Sequence, residues 1–340
     1  MSSKSVTKKI TVIGNGGWGT TLAILLHKKG YEVTLWGADA SYTGFLKEKR
    51  ENIKYLKGIP IPSGIGITSD ISNKLVDAQI LVSAVPTPYL RSVLIKFKNI
   101  FTNGIPIVSV TKGIENNTLM RPSEVLTNVL GNQPISVLLG PSHAEEVARG
   151  LPTTVVVSSK NANLSQIVQE IFTTDRLRVY TNPDMIGVEL GAAMKNVIAI
   201  ASGVCDGLKF GDNSKAALIA RGLTEISRLG VAMGAQRSTF SGLTGLGDLI
   251  TTCISPYGRN RWVGEQIGKG RKLQEILESM AQIAEGVWTT KSVVALSNKF
   301  KVEMPITKEI YNILFADKNP LEAVSTLMMR TPKSEVEELV

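Results

Sequence analysis

Histidine and cysteine are scarce in this chain of 340 residues, which contains two of each. His27, His143, Cys205 and Cys253 lie far apart in the sequence and show none of the short spacings that metal sites use. We therefore expect no bound metal. Two isolated thiols suit a reducing compartment, which leads us to expect a cytoplasmic protein.

Aromatic residues make up only 6% of the chain, and the sequence lacks both internal repeats and an apolar run that suggests a bilayer span. The formal charge is +9, with 38 Lys and Arg against 29 Asp and Glu, which favours anionic partners. The positive residues are dispersed rather than gathered in a stripe with aromatics, so small anions are favoured over nucleic acid. We expect no nucleic-acid partner and no membrane span.

The length of the chain exceeds what one hydrophobic core usually serves, so two domains are expected. The first half alternates between strand-like and helix-like patterns, whereas the sequence after residue 184 has helical periodicity. These patterns predict an α/β domain of the Rossmann type, with a doubly wound sheet, at residues 1–188. They predict an all-helical substrate-binding domain at residues 189–340, and a cleft between two such domains commonly binds substrate.

The strongest local signal is GNGGWG at residues 14–19, between a buried strand pattern and a helical pattern that ends near Lys29. In such a G-x-G-x-x-G run, Gly14 permits a tight turn, Gly16 lets the backbone approach a pyrophosphate, and Gly19 allows close packing of helix on strand. The helix N-terminus then supplies amide donors to the anion. The predicted cofactor is NAD or NADP, and a glycine-rich turn without a ligand is the alternative.

The second strand pattern, residues 31–36, ends in Trp36-Gly37-Ala38, and the first acid is Asp39. An acid at the end of this strand binds the ribose hydroxyls of NAD, whereas a nearby Arg accommodates the 2′-phosphate of NADP. Neither group is evident at the usual place, so the choice between NAD and NADP stays open.

Five further apolar runs have the length of strands and are predicted at residues 78–85, 105–110, 134–140, 151–159 and 176–180. Ligands gather beyond the carboxyl ends of parallel strands, which draws attention to the loops at 86–88, 111–113 and 140–144. Each loop also has a structural explanation. Prolines end strands, Lys112 is solvated, and Ser142 with Glu145 fits a helix-capping box.

Helical patterns cover residues 186–201, 214–229 and 273–284, and the first of them contains Lys195 within the small, apolar run GAAMKNVIAI. A lysine is almost never fully buried without a partner. One interpretation is a general acid or base whose pKa is lowered by desolvation. The alternative is a structural lysine that reaches solvent or pairs with Glu189 or Asp248.

Two later clusters differ from core segments. GLTGLGDL at residues 242–249 surrounds Asp248 with glycines, and Gly258-Arg259-Asn260 belongs to a polar loop. The Arg guanidinium is a planar fork suited to phosphate oxygens, and Asn adds an amide donor. A turn followed by a solvated, basic helix start is the alternative.

Taken together, these motifs resemble the bacterial type of NAD(P)-dependent glycerol-3-phosphate dehydrogenase over nearly the whole chain. The resemblance is carried by IGNGGWGTTLA, VSVTKGIE, LLGPSHAEEVARGLPT, NPDMIGVELGAAMKNVIAIASG, GLTGLGDLITTC, GRNRWVG, AEGVWTT and EMPITKEIY. It implies reversible, NAD(P)H-dependent reduction of dihydroxyacetone phosphate to sn-glycerol 3-phosphate, a precursor for phospholipids. It also implies a homodimer.

The resemblance assigns roles to individual residues. Lys195 is implied to be the proton donor and acceptor, and Lys112 to contact both cofactor and substrate. The other implied substrate contacts are Gly140, Ser142, Asp248, Gly258, Arg259 and Asn260. The implied cofactor contacts, besides Gly14, Gly16 and Gly19, are Gly17, Trp18, Ala38, Ala144, Arg259, Ile283 and Glu285.

Three positions depart from the family pattern. His143 stands where an aromatic such as Phe is typical, and we give it no catalytic role. Gly258 stands where Ser is frequent, and Ala38 replaces an Arg or His that could meet a 2′-phosphate. The competing functions are another two-domain NAD(P)-dependent hydroxy-acid dehydrogenase and a catalytically silent, nucleotide-sensing protein.

Overall fold

The structure, a computed structural model, describes residues 8–70, 77–100, 104–280, 282–332 and 334–335. The chain divides into two compact units. Unit 1 comprises the described residues of Met1–Lys112 and Met120–Met185, and unit 2 those of Gly113–Leu119 and Ile186–Val340. The assignment of Gly113–Leu119 to unit 2 was not predicted from the sequence. The domain boundary at residue 188 stays a prediction.

Unit 1 is built on a sheet that has eight strands within the described residues, in the order β3-β2-β1-β4-β5-β6-β7-β8. Neighbouring strands are parallel, except that β6 and β7 are antiparallel. The strands are β1 (Lys9–Ile13), β2 (Glu32–Trp36), β3 (Gly66–Thr68), β4 (Ile80–Ser83), β5 (Ile107–Ser109), β6 (Ile135–Leu139), β7 (Thr153–Ser159) and β8 (Leu177–Thr181).

Apolar side chains cover both faces of this sheet, because successive strand residues point to opposite sides. In β4, for example, Ile80 and Val82 join one buried cluster and Leu81 joins another. The flanking helices are α1 (Gly17–Lys28), α2 (Ala40–Lys49), α3 (Thr87–Phe97), α4 (Pro122–Leu130), α5 (Ala144–Ala148) and α6 (Ala162–Phe172). The predicted doubly wound α/β fold is confirmed, although the three-residue edge strand β3 was missed.

The regular secondary structure of unit 2 is entirely helical within its described residues, which confirms the predicted all-α character of the second half. Its helices are α7 (Met185–Gly207), α8 (Asp212–Ala232), α9 (Arg237–Phe240), α10 (Asp248–Ile254), α11 (Arg259–Gly268), α12 (Leu273–Glu278), α13 (Glu285–Phe300), α14 (Pro305–Phe315) and α15 (Pro320–Met328), with a π-helical turn at Leu243–Gly247.

One predicted helix was too long. Residues 273–284 were expected to form a single helix, but α12 ends at Glu278, and Ala284 adopts extended backbone as the N-cap of α13. Ile276 is the one buried residue of α12. The helix therefore gains little stability from apolar burial.

Helix α7 forms the centre of unit 2, and every residue from 187 to 205 is buried. Within the described residues it is the one helix long and apolar enough to cross a bilayer, so the expectation that no run would qualify was wrong. Its apolar window is fully buried inside the protein, as in the core helix of a globular domain.

Helices α7 and α11 cross with their backbones in contact. A Cβ atom at Gly203 would overlap the carbonyl oxygen of Arg261, and one at Gly264 would overlap that of Ile200. Beside the crossing, Asp206 of α7 forms ion pairs with Arg261 and with Lys215 of α8. Only glycine permits this approach, so the crossing fixes the position of α11 against α7.

We predict that Gly203→Ala destabilises the protein by about 3 kcal/mol, because the methyl group has no space at the crossing. The melting temperature should fall by roughly 6–12 °C. Gly44→Ala is the matched control, since Gly44 lies within α2 and a Cβ there meets nothing within 4 Å. The free energy of unfolding of that variant should rise by about 0.5–1 kcal/mol. Thermal unfolding followed by circular dichroism measures both, and equal stability of the two variants would contradict the backbone contact.

Candidate active site

The glycine loop between β1 and α1 has the geometry of a phosphate cradle. Gly14 has φ +111°, and a Cβ there would lie 2.6 Å from the carbonyl oxygen of Ala84. A Cβ at Gly19 would overlap the Gly14 carbonyl, whereas a Cβ at Gly16 meets nothing within 4 Å. The backbone is therefore closely packed below the loop and open at Gly16, directly before the amide-rich start of α1.

Two neighbours of this loop were also predicted to contact cofactor. The Nε1 atom of Trp18 is buried and has no hydrogen-bond partner among the described residues. The carbonyl oxygen of Ala144 accepts a hydrogen bond from the Thr21 hydroxyl of α1 at 3.2 Å. These contacts bring the start of α5 to the first turns of α1. The loop, the open backbone at Gly16 and the indole donor fit a dinucleotide.

Lys112, Gly140 and Ser142 are brought together in unit 1, beyond the ends of β5 and β6. The Nζ atom of Lys112 donates to the Gly140 carbonyl at 2.6 Å and to the Ser142 hydroxyl at 3.3 Å, and that hydroxyl donates to the Gly140 carbonyl at 2.9 Å. Lys112 is thus held by this loop. The capping box suggested for Ser142 was wrong, because the N-cap of α5 is His143 and its side chain makes no capping bond.

At the end of β2, Ala38 is exposed and offers no charge. The side chain of Asp39 caps α2 by accepting from the Tyr42 backbone N–H at 3.0 Å. Its carboxylate is therefore engaged in a structural role.

In unit 2, Lys195 lies in the buried middle of α7 and is only 5% exposed. Its Nζ atom donates to the Asp248 carboxylate at 2.6 Å and to the Thr252 hydroxyl. Thr252 in turn donates to the Asp248 carbonyl at 2.7 Å. Asp248, one of the two carboxylates considered as partners, thus lies within hydrogen-bond distance.

Thr252 was not identified from the sequence. It lies four residues after Asp248 on α10, so both side chains face the same direction, and that spacing was the available signal. The carboxylate of Asp248 favours the charged form of Lys195, while burial opposes it.

The start of α11 gathers the next predicted residues. Gly258 is the N-cap, and the Arg259 guanidinium donates to the Ile283 carbonyl at 2.9 Å. Asn260 is buried, and its side-chain oxygen accepts from the Gly286 backbone N–H at 2.9 Å. Glu285, the first residue of α13, directly precedes this contact.

The same junction reaches the helix of Lys195. A Cβ at Gly286 would lie 2.7 Å from the Asn196 carbonyl oxygen and 2.8 Å from the side-chain oxygen of Asn260. Helices α7, α11 and α13 therefore meet where Asn196, Asn260 and Gly286 touch. Unit 2 therefore contains the buried ammonium of Lys195, the guanidinium of Arg259 and the side-chain amide of Asn260. Among the described residues, no group of three or more His, Cys, Asp or Glu could hold a metal ion.

Two family models match the chain. One is described as NAD-dependent glycerol-3-phosphate dehydrogenase N-terminus and matches residues 9–165. The other is described as NAD-dependent glycerol-3-phosphate dehydrogenase C-terminus and matches residues 184–325.

Individual proteins are similar over the same extent. The chain is 51% identical over 330 residues to the NAD(P)+ glycerol-3-phosphate dehydrogenase of Prosthecochloris aestuarii, covering 96% of the chain and 99% of the relative. It is 48% identical over 336 residues to that of Bacillus pumilus, covering 98% and 97%. The crystal structure of glycerol-3-phosphate dehydrogenase from Coxiella burnetii superposes with a TM-score of 0.92 at 38% identity, covering 95% and 99%.

We predict that the thiol of Cys253, the residue after Thr252, is inert in the native protein. Burial raises its pKa to about 12, and the nearby Lys195 only partly opposes that rise. At pH 8 only about one thiol in ten thousand is then ionised. In a Cys205→Ser variant, Ellman's reagent should react with Cys253 only after unfolding in urea. Reaction within minutes in the native variant would show that the α10 environment is open.

Proposed function

The chain belongs to the NAD-dependent glycerol-3-phosphate dehydrogenase family, as the motifs indicated, and we propose that it reduces dihydroxyacetone phosphate to sn-glycerol 3-phosphate. It is an NAD(P)-dependent oxidoreductase of the bacterial type. The product is a backbone precursor for phospholipids. The observation that carries the residue assignment is the buried contact of Lys195 with Asp248 and Thr252.

This buried ion pair is better explained by catalysis than by stability. Moving an ammonium and a carboxylate out of water costs several kcal/mol each, and an apolar pair of similar volume is often at least as stable. Most residues of α7 near Lys195 are small or apolar, and the buried polar groups Asp248 and Thr252 lie against its Nζ atom. A proton-transfer group explains why a lysine occupies this position.

The residues of unit 2 then have distinct tasks. The Lys195 ammonium protonates the carbonyl oxygen of the substrate during reduction and takes the proton back in the reverse direction. Asp248 and Thr252 hold its Nζ atom and favour the protonated state. Arg259 binds phosphate oxygens through its planar guanidinium, and Asn260 adds an amide donor. Gly258 keeps the start of α11 close to Thr252, where a Cβ would lie 2.8 Å from the carbonyl oxygen.

Most of the residues proposed to hold the cofactor belong to unit 1. When bound, the reduced nicotinamide supplies a hydride to the carbonyl carbon. The amides at Gly16 and Gly17 bind the pyrophosphate at the start of α1, and the Trp18 indole N–H is a further donor. Lys112, oriented by Gly140 and Ser142, binds anionic groups of cofactor and substrate. Ala38, Ala144, Ile283 and Glu285 are the remaining proposed contacts with the dinucleotide.

We also propose a homodimer in the cytoplasm. The family resemblance supports both points, and the exposed apolar side chains Ile250, Ile254 and Tyr257 are suited to a protein contact. Light scattering coupled to size-exclusion chromatography measures the mass of the particle. A mass of one chain at micromolar concentration would contradict the dimer.

The activity is tested by following nicotinamide absorbance while dihydroxyacetone phosphate is added, with NADH and NADPH in parallel. We expect oxidation that depends on the triose phosphate. Oxidation with a keto acid and none with the triose phosphate would instead indicate a hydroxy-acid dehydrogenase. Silence with every substrate, despite nucleotide binding, would indicate a sensing protein.

We predict that Lys195→Met lowers kcat by about 10²–10⁴-fold, the usual contribution of a general acid. Nucleotide binding should persist, because the glycine loop belongs to unit 1 and Lys195 to unit 2. Lys299→Met is the control, since it removes an exposed lysine from α13. Titration of each variant with NADPH separates binding from turnover. Full turnover in Lys195→Met would exclude the proton-transfer role.

A further inference from the structure

The cofactor site lacks a cation directly after β2, where Ala38 stands. We infer that Lys54, on the loop that follows α2, supplies the missing charge and forms a subsite for the 2′-phosphate of NADPH. This inference rests on the proposed function only in that it needs the dinucleotide site of unit 1. It concerns the choice between two cofactors and not the substrate.

The loop that carries Lys54 is anchored to the glycine loop by Asn52. This side chain is fully buried and donates to the Asn15 carbonyl at 2.9 Å and to the Thr20 hydroxyl at 2.7 Å. Its oxygen accepts from the Tyr42 hydroxyl at 2.7 Å and from the Tyr55 backbone N–H at 3.2 Å. One amide thus ties together the phosphate loop, α1, α2 and the Lys54 loop.

Tyr55, which follows Lys54, places this loop beside the expected position of the pyrophosphate. A Cβ at Gly17 would lie 2.6 Å from the Tyr55 carbonyl oxygen, so the backbone of the Lys54 loop touches the first residue of α1. The Tyr55 ring packs edge to face on Tyr42, with ring centres 5.6 Å apart. The segment therefore runs between the start of α1 and the start of α2.

Lys54 lies at the α2 side of this segment. Its Nζ atom is 5.8 Å from the Tyr42 ring centre and 5.1 Å from that of Tyr55. Tyr42 belongs to the first turn of α2, which begins after Ala38 and Asp39 at the end of β2. That strand end is where a dinucleotide fold meets the adenosine ribose and its 2′ substituent. The ammonium is exposed, as contact with a ligand requires.

The local electrostatics keep Lys54 charged. Its hydrogen bond with Tyr55 raises the pKa of Lys54, and the Asp39 carboxylate contributes to that rise. Asp39 also caps α2, so its carboxylate is held by the Tyr42 backbone N–H. A 2′-phosphate would then meet the Lys54 ammonium beside a helix start, with Asp39 as the one acid whose charge opposes it in these contacts.

Two other cations of this stretch are engaged elsewhere. The Arg50 guanidinium donates to the Ile65 carbonyl at 2.7 Å and to the Pro62 carbonyl at 3.4 Å. Lys49 pairs with Glu48 in the last turn of α2, away from the end of β2. Lys54 is therefore the cation of this stretch that is best placed for the 2′-phosphate.

The test compares NADPH and NADH binding by isothermal titration calorimetry for the full chain, without substrate. We expect the protein to bind NADPH more tightly than NADH. Lys54→Gln should weaken NADPH binding roughly three- to tenfold, the range for a charge-assisted but exposed contact. NADH binding should change less than twofold. The preference should also shrink as the salt concentration rises.

Lys57→Gln is the matched control, because it removes the same charge from an exposed position three residues along the loop. It should leave both affinities unchanged. The inference is overturned if Lys54→Gln weakens both cofactors equally or neither of them, or if Lys57→Gln has the same effect. A protein that shows a Lys54-dependent NADPH preference but no activity with dihydroxyacetone phosphate would disprove the proposed function and leave this subsite intact.

Discussion

The packing of unit 2 depends on one constraint, which is that the buried ammonium of Lys195 needs polar partners. Helix α7 is buried along nearly its whole length, and Lys195 sits in the middle of it. An unpaired ammonium in such a place would cost several kcal/mol or lose its proton. Asp248 and Thr252 must therefore lie against α7, which sets the position of α10. Gly191 permits this approach, since a Cβ there would lie 2.6 Å from the Thr244 carbonyl oxygen in the π-helical turn before α10.

The other functional groups of unit 2 are positioned by the same means. Glycines at the crossing of α7 and α11 allow backbone contact, and Gly286 allows α13 to reach Asn196 and Asn260. Backbone contacts have few degrees of freedom, so the start of α11, which carries Arg259, is held in place against α7. Lys195 and the residues proposed to bind phosphate thus belong to one closely packed helical core.

In unit 1, close glycine packing is combined with a buried side-chain amide. Gly14 and Gly19 let the glycine loop pack closely beneath α1, and the fully buried Asn52 ties that loop to the segment after α2. A buried amide satisfied on all sides makes a polar network rigid. The shape of the phosphate cradle is therefore determined by residues on both of its sides.

The alternation of strands and helices, the glycine loop, the helical second half and the family could all be predicted from the sequence. These features depend on periodicity and on residue types within a few positions, which local backbone physics governs. The sequence also placed Lys195 in an apolar helix. The contact of its Nζ atom with Asp248, 53 residues away in the sequence, follows only from the packing of α10 against α7.

Other structural features could not be predicted from local sequence patterns either. Ser142 binds Lys112 instead of capping a helix, α12 ends early, and Asn52 and Lys54 come to lie beside the glycine loop. For Ser142, a partner from a distant part of the chain competes with the local capping preference and wins. Hydrogen-bond partners depend on which segments pack together, and that information is spread over the whole chain and absent from any single motif.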